Sequence, residues 1–371
     1  MQGSEFIQRF KQYCPEWLAE EGDPVGLHIG TLNKTVDRIM MSLDVRPAVV
    51  EEAIAKKIDL LIVKHPPIFR PVSRLTTDDV QTKMYADLIK HDIAVYAAHT
   101  NMDIIHNGLN DWFCEALDVF GTDYLIHTHT VKMKKLAVYV PQTDAKAMRE
   151  ALAKAGAGEQ GNYQATSFTV NGTGRFTPTN AATPAIGSAN VPEQVQESKI
   201  EVIFPETKQA EVESAMLTAH PYEEPAYDIY QLDNLAENYG IGRVGELKEA
   251  MPTEDFIAKV KKTFDLEGLR VVYPHNEKKM IKRVAICGGS GEKFYRDAIT
   301  ANADVYITGD VYYHTAHDMQ ESGMLAIDPG HYIESLCKEK MVALFNQWKN
   351  EEDWKVDFFV SETSTNPFSF K

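Results

Sequence analysis

Cysteine is scarce. The four in 371 residues, Cys14, Cys114, Cys287 and Cys337, stand far apart and form no CxxC pair, which leaves buried free thiols in a reducing cytosol as the expectation. Positive charge is in deficit as well: 38 Lys and Arg against 54 Asp and Glu give a net charge of −16. A nucleic-acid footprint needs a basic face, so this balance argues against one, and the clusters Lys261-Lys262 and Lys278-Lys279 to Lys282-Arg283 read as solvated surface charge. No stretch approaches the apolar length of a membrane span. The first residues, Met1-Gln2-Gly3-Ser4-Glu5-Phe6, lack the basic start and apolar core of a signal peptide, so the expected location is the cytoplasm. What the chain does have is a 44% hydrophobic content, ample for real cores, and a length that predicts about two to three domains.

The most informative stretch is Leu60-Leu61-Ile62-Val63-Lys64-His65-Pro66-Pro67-Ile68-Phe69, an apolar run that ends on a histidine held against two prolines. Such a run predicts a strand buried on both faces. Ligands in open α/β sheets sit just beyond carboxyl ends of this kind, and the prolines fix the backbone directly after His65. Two more stretches repeat the arrangement: Ile93 to Ala98 runs into His99-Thr100-Asn101-Met102-Asp103, and Met324 to Ile327 runs into Asp328-Pro329-Gly330-His331-Tyr332-Ile333-Glu334. His331 and Glu334 are three apart at a helix opening and share a face. If the strand ends converge, their nitrogen and oxygen donors suit a divalent metal. Taken singly, each residue has a plainer account: His65 as a core-edge histidine, Asp103 as a cap, Glu334 as a complement to a helix N-terminus.

Lys64-His65-Pro66, His99 to Asp103, Thr308-Gly309-Asp310 and Gly330-His331-Tyr332-Ile333-Glu334, in this order over nearly the whole chain, resemble the Nif-three-like dinuclear metal proteins, also catalogued as GTP cyclohydrolase I type 2 homologues. The resemblance implies His65, Asp103, His331 and Glu334 as ligands, with Glu334 bridging. It implies one or two divalent ions per chain, zinc first, with manganese, iron or cobalt as alternatives, because no ligand is a thiolate. Many members carry two adjacent histidines where this chain has Lys64-His65. An ammonium does not ligate, so the second ion is expected to be weak, differently coordinated or absent, and Lys64 is a candidate for orienting an anionic substrate. His99 is expected behind the ligands, with His99 or His314 as proton shuttle. The implied activity is a metal-dependent hydrolase using metal-activated water on a nucleotide-like or phosphate substrate, GTP itself resting on the family's naming alone. The alternative is a non-catalytic metal-handling or regulatory protein that senses a small-molecule ligand. The resemblance further implies a homo-hexameric ring, a trimer of dimers.

The expected fold class is α/β, with two βα-repeat halves, residues 1–125 and 246–371, forming a Nif-three-like core around an inserted α+β ferredoxin-like domain at 126–245. A helix capped by Ser4 is expected over 4–20, then a turn at Gly22 to Leu27, where the family usually has an Asp-Asn pair in place of Asp23-Pro24. Strand, helix and strand then alternate to Asp118, predicting a mostly parallel sheet. Lys135 to Thr143 recurs as Lys199 to Thr207, each copy a strand followed by a Pro-x-Thr helix start. With strands at Tyr163 to Val170 and Ala226 to Leu232 the segment reads βαββαβ. It also looks like PII-like and copper-tolerance-like modules, through His220-Pro221-Tyr222-Glu223-Glu224-Pro225. His220, Glu223 and Glu224 are either a ligand site or, the reading preferred here, a turn buttressed by Tyr222. Gly172 to Glu197 is expected to be a mobile loop. In the last segment, Gly288-Gly289-Ser290-Gly291 follows a strand but lacks the Lys-Thr of a phosphate loop, so a tight turn is the stronger reading. A strand at Trp354 to Val360 is expected to complete the second βα unit.

Overall fold

Short strands buried at every position carry the elements that matter here, in a computed structural model that describes residues 1–276 and 279–371. Lys278 of the basic cluster lies outside the described residues. In chain order the elements are α1 (Gly3–Tyr13), β1 (Gly26–Ile29), β2 (Arg38–Ser42), α2 (Pro47–Ala55), β3 (Leu60–Val63), α3 (Val80–Lys90), β4 (Ala94–Ala97), α4 (Thr100–Ile104) and α5 (Leu109–Ala116). Next come β5 (Val119–Pro141), α6 (Ala145–Lys154), β6 (Phe168–Phe176), β7 (Glu193–Pro205), α7 (Gln209–Ala219) and β8 (Tyr227–Pro252). The chain closes with α8 (Thr253–Thr263), β9 (Arg270–Val272), β10 (Met280–Ile286), α9 (Tyr295–Thr300), β11 (Val305–Ile307), α10 (Tyr313–Glu321), β12 (Leu325–Asp328), α11 (Leu336–Glu351) and β13 (Asp357–Val360).

Two units separate: residues 1–128 with 239–371, and residues 129–238. The first unit holds a five-stranded sheet of order β1-β4-β3-β2-β13, parallel throughout except for β1. It also holds the run β8-β10-β11-β12-β9, in which β10, β11 and β12 are parallel. β3 and β4 are buried at every position, as continuous apolar runs in a covered parallel sheet require. Phe6 and Phe10 of α1 pack against Phe345 of α11 with ring centroids 5.1 and 6.1 Å apart, so helices from both ends of the sequence share one core.

Several expectations change. α1 starts before Ser4, with Gln2 at the cap position, and stops at Tyr13 because Pro15 disfavours helix for the residue before it; a 3-10 turn at Glu16–Leu18 follows. Gly26 and Leu27 belong to β1 rather than to a turn. β9 was not foreseen. β13 does not complete a second βα unit: it pairs in parallel with β2, Asp357 opposite Arg38, so the C-terminal strand finishes the sheet begun at the N-terminus.

In the second unit the elements run βαββαβ, with strand order β6-β7-β5-β8. β7 pairs antiparallel with both β5 and β6, and a core of Leu136, Val138, Met148, Ile200, Phe204, Val212 and Met216 lies beneath α6 and α7. The segment expected to be a loop from Gly172 to Glu197 is ribbon at its two ends, where β6 and β7 pair from Phe168↔Glu201 to Phe176↔Glu193, and its longer middle part, 177–192, is the connection. No helix among the described residues is long and apolar enough to cross a membrane.

Candidate metal centre

Three strand ends meet in the first unit. β3 ends at Val63 and delivers Lys64 and His65; β4 ends at Ala97 and delivers His99, then α4 with Asp103; β12 delivers His331 and Glu334. The last two lie in a 3-10 turn, His331–Ser335, whose three-residue period eclipses i and i+3. That is why both side chains point the same way.

The imidazoles of His65 and His331 face each other with Nε2 atoms 3.3 Å apart. The Glu334 Oε2 atom lies 2.9 Å from His65 Nε2 and 3.4 Å from His331 Nε2. One donor atom from each of the three residues falls within 4.8 Å of the others. Each ring is held from behind by a carboxylate: His65 Nδ1 donates to Asp44 at 2.8 Å, His331 Nδ1 to Asp310 at 2.7 Å, and His99 Nδ1 to Asp23 at 2.7 Å. A carboxylate on Nδ1 fixes the tautomer and turns the Nε2 lone pair outward, as metal-binding histidines require. Asp23 also accepts from the Thr100 amide at 3.0 Å and from its hydroxyl, so the aspartate that this chain keeps at the Asp23-Pro24 turn holds the start of α4 and orients His99.

Lys64 is 1% exposed. Its Nζ donates to Asp103 Oδ2 at 2.9 Å and stands 3.7 Å from Glu334 Oε2. Burial by itself lowers the ammonium's pKa, but Asp103 and Glu334 outweigh it and raise it. Burial likewise raises Glu334, but Lys64 and the two histidines hold that carboxyl well below the usual range. Asp103 moves upward because burial exceeds the pull of Lys64. Burial lowers His331 and its two carboxylates overcome this, to about 9.

Two features of this pocket point to a cation. Among the described residues the Asp103 Oδ1 atom is buried without a partner, a cost folded proteins avoid unless something binds there. Gly289, at φ +62°, lies so near that a Cβ would stand 2.8 Å from Glu334 Oε1, so only glycine admits the loop. The Gly288 amide goes to Asn110 Oδ1 and the Gly291 amide to Thr308 Oγ1, both at 2.9 Å, so two of the loop's four amides are engaged within the protein.

His65, His331 and Glu334 are thus brought together, Asp103 is joined to them through Lys64, and His99 stands beside them with its ring 5.7 Å from that of His65. His314 is not brought to the cluster: it is exposed on α10 and packs against Tyr313 at 5.4 Å. Sequence reasoning did not assign Asp44, Asp310 and Asp23 their orienting roles. The available signal was their position, since Asp44 and Asp310 also follow apolar strands. In the second unit, His220 is saturated, with Nε2 donating to the Tyr139 carbonyl at 2.9 Å and Nδ1 accepting from the Tyr222 amide at 3.0 Å. It buttresses the turn, and has no free ring nitrogen for a ligand.

The chain matches the Duf34/NIF3 (NGG1p interacting factor 3) family over residues 1–367, and it belongs to that family. A Bacillus subtilis protein named GTP cyclohydrolase 1 type 2 homolog is 44% identical over 368 residues, covering 99% of this chain and 98% of that one. A Streptococcus pneumoniae protein of the same name is 38% identical over 370 residues, covering 99% of each. Among solved structures, a Bacillus cereus protein related to NIF3 superposes with a TM-score of 0.91 at 41% identity, over 100% of this chain and 99% of that one. A Staphylococcus aureus protein gives 0.78 at 28% identity, with the same coverage.

Proposed function

We propose that this protein is a metal-dependent hydrolase whose centre holds one divalent ion, with the Lys64 ammonium standing as a built-in second positive charge. The observation that carries this is the meeting of His65 Nε2, His331 Nε2 and Glu334 Oε2 within 3.4 Å of one another. Two lone pairs and a carboxylate at that separation repel unless a proton or a cation lies between them. A two-histidine, one-carboxylate set suits zinc, manganese, iron or cobalt and leaves coordination positions open. An ion held there supplies Lewis acidity and activates water.

The remaining work falls to the chain's own groups. Asp44 and Asp310 hold the imidazoles. Asp103, through its free Oδ1, is the further ligand group we assign. His99, its Nδ1 proton committed to Asp23, presents Nε2 to take and return a proton. His314 has no part in this scheme. The name shared by the relatives points to a nucleotide-like substrate; phosphate substrates and a cytoplasmic location are part of the proposal. The βαββαβ order and the β6-β7-β5-β8 arrangement support a ferredoxin-like insertion; the trimer-of-dimers hexamer is carried forward as a proposal from the family resemblance alone.

A second reading has its own support. A cavity of about 680 Å³ in the second unit, lined by Phe176, Ile186, Glu197, Tyr222 and Glu223, touches none of the candidate ligands and suits a regulatory ligand sensor. Metal analysis by plasma mass spectrometry on protein purified without chelator, beside His331→Ala, tests the centre: one ion per chain, lost in the variant, is expected. No hydrolysis of nucleotides or phosphoesters by the metal-loaded protein would move the assignment to the sensor reading.

A further inference from the structure

Beside His65, at the carboxyl edge of β2 and β3, lies a cleft of about 420 Å³. Its walls come from three segments: the β2–α2 connection with Asp44 and Arg46, the proline turn after His65 with Phe69, and the start of α3 with Asp79 and Met84. Ligands of parallel sheets bind at this kind of edge.

The charges lining the cleft are unequally engaged. Asp44 accepts from His65 and from the Thr365 hydroxyl. Asp79 caps α3, accepting from the Thr82 amide at 2.9 Å and its hydroxyl at 3.2 Å. The Gln81 amide and the Tyr85 hydroxyl both go to the Pro67 carbonyl. The Arg46 guanidinium alone makes no hydrogen bond or ion pair among the described residues, acting on Asp44 only through its charge, and the residue is exposed. A guanidinium presents five donors in a planar fork matched to phosphate or carboxylate. The opposite wall is apolar, and its largest member, Phe69, is 62% exposed with its ring 6.1 Å from that of His99. An exposed phenylalanine next to catalytic-type histidines is a platform for a flat group.

Resting on the metal-centre reading, we propose that the cleft is the substrate site and that its substrate is a small oxyanion, a phosphate or carboxylate on a planar apolar body. The oxyanion lies on Arg46, the body on Phe69 and the prolines, and the bond to be cleaved faces His65, His331 and Glu334. Calorimetric titration of phenyl phosphate and of benzoate tests this, on metal-loaded and chelator-treated protein, with Arg46→Glu and Phe69→Ala alongside and metal content read on every sample. Saturable binding at one site per chain is expected. Arg46→Glu should weaken it at least tenfold with metal content and circular dichroism unchanged, and Phe69→Ala about threefold. The tighter of the two probes identifies the oxyanion. Binding by Arg46→Glu within twofold of the wild type, or no binding in either form, overturns the inference even where the ion is present. An Arg46-dependent titration in protein that takes up no ion even after metal loading would instead leave the oxyanion site standing and remove the metal-centre reading on which the cleavage rests.

Discussion

On the one-ion reading proposed above, the Lys64 ammonium takes the place of a second ion, and replacing it tests the charge argument directly. In Lys64→Met, Asp103 and Glu334, 7% and 1% exposed, lose the ammonium between them. At an effective dielectric near 20, charges at 2.9 and 3.7 Å attract by about 6 and about 4 kcal/mol. Removing one partner of a buried ionic group costs a net ~3–5 kcal/mol, because the desolvated carboxylates are left uncompensated. For a unit of this size that lowers the melting temperature of metal-free protein by about 6–20 °C. The variant should then recover most of the loss when zinc or manganese is added, since a second cation fills the vacated charge. Lys64→His goes further: imidazole is a ligand where ammonium is not, and the metal count should rise from one to two. Calorimetry on chelator-treated and metal-loaded samples, with metal analysis of each, reads all of this. A metal-free Lys64→Met protein as stable as the wild type would refute the charge argument, and so would a wild-type chain that already holds two ions.

Glu52 gathers Lys56 Nζ at 2.8 Å, the Ser361 hydroxyl at 2.7 Å, the Glu362 amide at 2.9 Å and the Thr363 hydroxyl at 2.7 Å. Burial raises its pKa, but these partners overcome that and bring it to about 2. Because the folded value is depressed, its contribution is complete above the ordinary pKa of 4.5 and fades as pH falls toward 2. Glu52→Gln should therefore cost about 1–2 kcal/mol near neutral pH, with the gap closing in acid; a gap independent of pH between 5 and 2 contradicts the assignment. Arg243 spends all five donors: on Asp111 at 2.6 and 2.7 Å, and on the carbonyls of Gly240, Gly242 and Ile105. Arg243→Met should cost about 3–5 kcal/mol in urea unfolding, and Arg243→Lys should recover little of it, since an ammonium has three donors and no fork; full rescue by lysine would show that charge alone suffices.

The strand tips were legible because their signals are local. A run such as Leu60 to Val63 declares its own burial, and a histidine at its end declares its edge position. The i, i+3 spacing of His331 and Glu334 was equally local, although the turn proved to be 3-10. What could not be read was partnership across distance. Nothing near Asp23 states that it will meet His99, 76 residues on, and nothing near Asp310 names His331. His314 misled for the same reason: a histidine on a short helix has no sequence feature that separates a ring facing the cluster from one resting on Tyr313. Pro15 was a local signal passed over, and it moved the end of α1.

The C-terminal strand shows how such distance carries into the chemistry. By periodicity β13 is an ordinary final strand, and only its register, Phe359 opposite Met40, places it beside β2. Once there, the segment after it runs along the carboxyl edge of the sheet. Glu52 pins it at Ser361 to Thr363, and Thr365 then donates its hydroxyl to Asp44, the carboxylate that orients His65. A residue near the end of the chain thus shares the acceptor that fixes a candidate ligand in the first third. Carboxylates that orient metal-bound histidines affect metal affinity when they are disturbed, so pairing at β13 reaches His65 through two hydrogen bonds that share Asp44.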